Sequence, residues 1–189
     1  MPSISDHLEA LRALTVTSAS MVPDVERAAQ TVVGALKNGN KLLTCGNGGS
    51  ATDAMHMAEE LVGRYKSDRV ALPAIALNAD GSVMTCIAND WSFDVVFSRQ
   101  VEALGQEGDI LVVFSTSGNS PNLLAAMNSA REKGMTVVAL LGNEGGEANS
   151  LADIACVVPS SETARIQEMH TWILHVILEE VEEAFAREG

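Results

Sequence analysis

Positive charge is scarce in this sequence. Twelve Lys+Arg stand against 25 Asp+Glu, for a formal net charge of −13. An acidic surface of that kind repels nucleic-acid backbones and anionic membranes, so neither is expected as the main partner. A small anionic ligand held by neutral donors stays open. Cysteine is scarce as well. Cys45, Cys86 and Cys156 lie far apart and form no CxxC pair, which argues against a disulfide framework and for a reducing, cytoplasmic setting. Long apolar runs are missing, with none near the ~18 residues of a membrane span. The first residues carry neither a basic n-region nor an apolar h-region. No repeat, low-complexity tract or dividing linker interrupts the 189 residues, so a single domain over 1–189 is expected. What is present suffices for a core: 47% of residues are apolar and 20% charged, a balance unlike that of disordered chains.

Periodicity places the elements. Ile4, Leu8, Leu11 and Leu14 recur at helical spacing, and residues 4–38 read as two helices, the second opened by Pro23 and closed by Asn38-Gly39-Asn40. Short apolar strands are expected at Lys41–Cys45, Pro73–Leu77, Asp109–Phe114, Thr136–Leu141 and Ile154–Val158. Helices are expected at Ala51–Arg64, over most of Gly81–Gly105 with a break near Asn89-Asp90, at Pro121–Lys133, and from Glu162 to Arg187. Strands alternating with helices imply an α/β fold: a five-stranded parallel sheet covered on both faces, a three-layer αβα sandwich over residues 40–189, preceded by a helical segment over 1–38.

Ligands of an open parallel sheet bind beyond the carboxyl ends of its strands. Two loops there stand out. Gly46-Asn47-Gly48-Gly49-Ser50 joins a strand to a helix and permits close backbone approach. Ser115-Thr116-Ser117-Gly118-Asn119-Ser120 does the same with hydroxyls added. Neither contains Lys or Arg, and neither matches the P-loop, which ends in Gly-Lys-Ser/Thr. Neutral donors and a helix dipole suit a phosphate monoester. The first loop matches a relaxed dinucleotide fingerprint, Gly46-x-Gly48-x-x-Ala51. The acid at the matching distance, Asp68, precedes the next strand instead of ending it, and so weakens that match.

His56 and Glu60 lie one helical turn apart on one face. Taken alone they read as a solvated pair. The closing helix carries Gln167, Glu168, His170 and His175; His175 sits in the apolar run Trp172–Leu178 and, taken alone, reads as a satisfied core histidine. Glu59-Glu60, Glu179-Glu180 and Glu182-Glu183 read first as charged helix faces. An apolar run of this kind on the last helix implies burial against another chain.

Together these segments resemble a known family. Cys-Gly-Asn-Gly-Gly-Ser (45–50), Asp-Ala-Met-His-Met-Ala-Glu-Glu-Leu (53–61), Gly-Arg-Tyr (63–65), Ala-Asn-Asp (88–90), Phe-Ser-Arg-Gln-Val (97–101), Ser-Thr-Ser-Gly-Asn-Ser (115–120) and Arg-Ile-Gln-Glu-Met-His (165–170) are similar to the SIS (sugar isomerase) family, and within it to the phosphoheptose isomerases. The likeness runs from residue 26 to 185. It implies a flavodoxin-like SIS fold and an enzyme that interconverts sedoheptulose 7-phosphate and D-glycero-D-manno-heptose 7-phosphate, the step that opens heptose supply to lipopolysaccharide core or other bacterial glycoconjugates. It implies a homotetramer with sites between subunits and one zinc per site. On the family pattern Ser115, Thr116, Ser117 and Ser120 take the phosphate. Asn47, Gly48, Gly49, Ser50, Asn89 and Asp90 line the sugar together with Glu60 and Gln167. His56, Glu60, Gln167 and His175 fall on the metal positions, and Glu60 and His175 on the acid/base pair. Ala164 and the stretch Asn78–Ser82 depart from some relatives without touching those residues. Two other readings remain: a non-catalytic SIS protein that binds the bacterial replication initiator, in which the His-x-x-x-Glu pair is interrupted, and an isomerase of another sugar phosphate.

Overall fold

A computed structural model describes residues 3–186. Helices α1 (Ile4–Thr17) and α2 (Val22–Lys37) open the chain, joined by a short 3₁₀ turn. Ser3 caps α1 reciprocally: its hydroxyl accepts from Asp6 N–H at 3.2 Å and its own N–H donates to the Asp6 carboxylate at 2.7 Å. The pair satisfies donors that a first helical turn leaves free. Pro23 sits in the first turn of α2, where the missing N–H costs nothing.

The strands are β1 (Leu42–Gly46), β2 (Ala74–Ala76), β3 (Ile110–Ser115), β4 (Thr136–Leu141) and β5 (Ile154–Val157). All pair in parallel, in the order β2-β1-β3-β4-β5. Helices α3 (Gly49–Val62), α4 (Gly81–Asp90), α5 (Ser98–Leu104), α6 (Pro121–Glu132) and α7 (Ala148–Leu151) lie between strands, and α8 (Thr163–Phe185) follows β5. The expected αβα sandwich with its N-terminal helices is therefore present. The break expected at Asn89-Asp90 comes just after them, at Trp91 and Ser92, because α4 keeps both residues in its last turn. The expected helix end at Arg187 lies outside the described residues.

Successive strand side chains point to opposite faces. Leu42, Val112, Phe114, Val138, Leu140 and Cys156 pack with α2, α3 and α8, while Leu43, Cys45, Leu111, Val113, Val137 and Leu141 pack with α4 to α7. A strand covered on both faces needs this continuous apolar run, and each such Leu or Val contributes roughly 1.5–3 kcal/mol when fully buried.

The closing helix differs from expectation in one respect. Trp172 is 42% exposed and His175 only half-buried, whereas His170 is the fully buried histidine. The helix is thus apolar on its sheet-facing side and open beside His175. Among the described residues no helix is long and apolar enough to cross a membrane.

The chain leaves β1 toward β2 on one side of the sheet, while β3 lies on the other side. Loops after β1 and β3 diverge there and open a crevice at the carboxyl ends of the strands, the usual ligand position of this topology.

Candidate active site

The loop after β1 turns through Gly48, at φ +58° and ψ −123°, a backbone shape that side chains disfavour. Asn78 holds the turn from the neighbouring strand end, accepting from Gly46 N–H at 3.2 Å and donating to the Gly46 carbonyl at 2.8 Å. The loop after β3 turns through Gly118, at φ +66°, where a Cβ would stand 1.9 Å from the Gly145 carbonyl oxygen. The Ser115 hydroxyl accepts from Gly118 N–H at 3.0 Å and fixes the loop on itself.

Between the loops lies a cavity of about 230 Å³. Asn47, Gly49, Ser50, Ser115, Thr116, Ser120 and Gln167 line it, with Phe114, Leu123 and Thr163. None of these is cationic. The first turns of α3 and α6 both open beside it, so two helix dipoles favour an anion there. Ser117 lines a larger neighbouring cleft of about 630 Å³, with Asn119, Asn143 and Ser160. Gly48 shapes the turn without lining the cavity. Asn89 and Asp90, exposed at the end of α4, bond to each other (Asn89 Nδ2 to Asp90 Oδ1, 2.8 Å) and do not line it.

A second group lies down a seam between α3 and α8. Gly49 meets Gln167 so closely that a Cβ would stand 2.5 Å from Gln167 Nε2. The Thr171 hydroxyl donates to Asp53 Oδ1 at 3.2 Å. The rings of His56 and His175 meet edge to face with centroids 5.1 Å apart. The two helices therefore run side by side in the same direction. His56 Nε2 lies 3.3 Å from Glu60 Oε1. Glu60 and His175, from distant parts of the sequence, thus both lie beside His56, with His175 level with it about 10 Å of helix rise beyond Gly49 and Glu60 one turn further on, at about 16 Å.

Burial raises the pKa of the Asp53 carboxyl, opposed by the Thr171 hydrogen bond and by His56; Asp53 Oδ2 has no hydrogen-bond partner among the described residues. Ligand atoms of His56, Glu59 and Glu60 lie within 4.8 Å of one another. Imidazole nitrogen and carboxylate oxygen are donors that zinc accepts, so these three fit that metal; of the expected ligand set, His175 falls outside this group and Gln167 lies back along the seam beside Gly49. Glu59 reads in the sequence as part of a charged face and joins the cluster only in space. Asn122 carries no signal in the sequence, and Tyr65 and Asn78 stand there only in segments compared with the family, without a role. Their partners, Asn47, His175 and Gly46, are far from them in the chain.

The SIS domain family model matches residues 7–142. Phosphoheptose isomerase of Campylobacter concisus is 52% identical over 182 residues, covering 96% of each chain. That of Citrifermentans bemidjiense is 53% identical over 169 residues, covering 89% of this chain and 88% of its own. Among solved structures, the phosphoheptose isomerase of Francisella tularensis superposes with a TM-score of 0.92 at 37% identity, covering 95% of this chain and 96% of its own. That of Neisseria gonorrhoeae gives 0.90 at 40%, covering 95% and 97%. The chain belongs to the SIS domain family and, within it, to the phosphoheptose isomerases.

Proposed function

We propose that this chain interconverts sedoheptulose 7-phosphate and D-glycero-D-manno-heptose 7-phosphate, the opening step of bacterial heptose biosynthesis and of heptose supply to lipopolysaccharide core. The observation that carries the reading is the approach of His175 to the His56–Glu60 pair, at 5.1 Å between imidazole centroids. The phosphate sits among Ser115, Thr116 and Ser120, with Ser117 at the rim of the same loop. Asn47, Gly49, Ser50 and Gln167 meet the sugar. An extended seven-carbon chain reaches from that cavity along the seam, which brings its carbonyl end to Glu60 and His175.

An aldose–ketose isomerisation needs a base at carbon and an acid at the adjacent oxygen. Glu60 removes the proton from C1 of the ketose while His175 donates to the oxygen at C2, which yields the enediol. Returning a proton to C2 and removing one from the C1 oxygen yields the aldose. His56, Glu60 and His175 would hold a zinc ion, joined by Gln167, about 12 Å of helix rise from His175, only where both side chains lean inward or chains combine; the ion would supply polarisation of the carbonyl when bound.

The same reading includes a homotetramer with sites between subunits, acting in the cytoplasm. In support, α1 leaves Ile4 91% exposed and Leu8 and Val16 70% exposed, an apolar stripe that a second chain would cover. Asn89 and Asp90 reach no cavity residue of their own chain and would serve a neighbouring copy. The three free cysteines suit a reducing compartment.

Sedoheptulose 7-phosphate incubated with the native chain and followed by NMR should convert to the aldose. Glu60→Gln and His175→Ala should each abolish turnover while phosphate-anchored binding survives. No conversion by the native chain overturns the reaction, and near-normal turnover in either variant overturns the assigned roles.

A further inference from the structure

We propose that Tyr65 is a positioning residue for the isomerisation: its aromatic face is the wall against which the His175 imidazole is held at the angle proton donation needs. The inference deepens the reading of His175 as the acid and rests on it.

Two contacts bracket the imidazole. Tyr65 stacks on it with centroids 5.8 Å apart and planes 29° from parallel. His56 meets it nearly perpendicular, at 82°. Torsion about the last bond of a histidine side chain is broad and roughly two-fold. Packing therefore decides where each ring nitrogen points, and the stacked face adds attraction beyond the area it buries.

The Tyr65 hydroxyl donates to Glu179 Oε1 at 3.3 Å, and Lys66 pairs with the same carboxylate. Glu179 stands one turn beyond His175 on α8. Lys66 Nζ also lies 5.3 Å from the Tyr65 ring centre. The segment holding Tyr65 follows directly from the end of α3 that carries Glu60. One stretch of chain thus supplies both the base and the wall behind the acid, and any shift in it changes the distance between the two groups.

The test compares Tyr65→Leu, Tyr65→Phe and His175→Gln in the full-length protein, with sedoheptulose 7-phosphate as substrate. Misplacing a reacting group by about 1 Å can cost on the order of 100-fold. Tyr65→Leu is accordingly expected to lower kcat at least tenfold with KM little changed, while Tyr65→Phe, which keeps the aromatic face, restores most of it. A readout independent of turnover is the proton NMR of His175. Its ring protons should move downfield in Tyr65→Leu, which removes the stacked ring current, and stay near native in Tyr65→Phe. If His175→Gln is inactive yet Tyr65→Leu keeps native kcat, the positioning role is overturned and the acid assignment stands. If Tyr65→Phe falls as far as Tyr65→Leu, the stacked face is not what matters, and the proposal fails. If His175→Gln turns over normally, the acid assignment fails and the proposal with it.

Discussion

Asn47 and Asn122 exchange both amide hydrogen bonds: each Nδ2 donates to the other's Oδ1 at 2.9 Å. Asn47 belongs to the loop after β1 and Asn122 to the first turn of α6, beyond the loop after β3. The pair therefore ties together the two loops that flank the crevice. Asn122 is 2% exposed, whereas Asn47 is half-buried beside the cavity. Asn122→Ala should destabilise the fold by about 1 kcal/mol, the net worth of a hydrogen bond whose remaining partner can turn to water. Urea unfolding would measure it. KM for the sugar phosphate should rise in the same variant, since Asn47 loses its fixed orientation.

Gly49 and Gly118 should respond differently to alanine. At Gly49 the obstacle is the tip of the Gln167 side chain, 2.5 Å from the added Cβ, which can swing away. Gly49→Ala should keep its melting temperature within a few degrees and lose activity, because Gln167 leaves the cavity. At Gly118 the obstacle is the Gly145 backbone oxygen at 1.9 Å, and φ is +66°. Gly118→Ala should lose more than about 1–3 kcal/mol, the usual range for a strained backbone position. Equal melting temperatures for the two variants would contradict this account.

His170 predicts an acid-side loss of stability. Burial lowers its pKa from 6.5 to about 4, partly opposed by the bond between its Nε2 and the Leu141 carbonyl oxygen. Between those values the unfolded chain binds the proton and the folded chain does not. Stability from this group is therefore full above pH 6.5, falls as pH drops toward 4, and changes no further below it. The loss is on the order of 3 kcal/mol at one pKa unit per 1.36 kcal/mol. His170→Gln should flatten that part of the profile in urea melts at pH 7 and pH 5. An unchanged slope would rule His170 out as its source.

Metal dependence offers a further check. Chelator dialysis should remove turnover and added zinc should restore it. His56→Ala should weaken zinc binding in calorimetry by at least the roughly 10–100-fold that even an outer-sphere partner of a ligand commands. Full activity after exhaustive chelation would exclude a catalytic metal.

The strands were legible because a sheet covered on both faces demands continuous apolar runs, and Leu111–Phe114 and Val137–Leu141 are such runs. The loops at 46–50 and 115–120 were legible because tight turns beside helix N-termini call for glycine and hydroxyl residues. His56 and Glu60 were legible as neighbours because helical spacing is local. The burial of the closing-helix histidines was not. A helix advances about 100° per residue, and which side meets the sheet depends on packing, which buried His170 and left His175 at the open edge of the seam.

The sequence by itself determined the layer order, the two glycine- and hydroxyl-rich turns and the chemical types available to the site, since each follows from periodicity and from neighbours a few residues apart. Only the tertiary structure decided that α3 and α8 run in step, that Asn122 answers Asn47, and that Tyr65 faces His175. Those relations join residues about 75 to 120 positions apart. Their geometry comes from how the helices pack on the sheet, which no local pattern encodes.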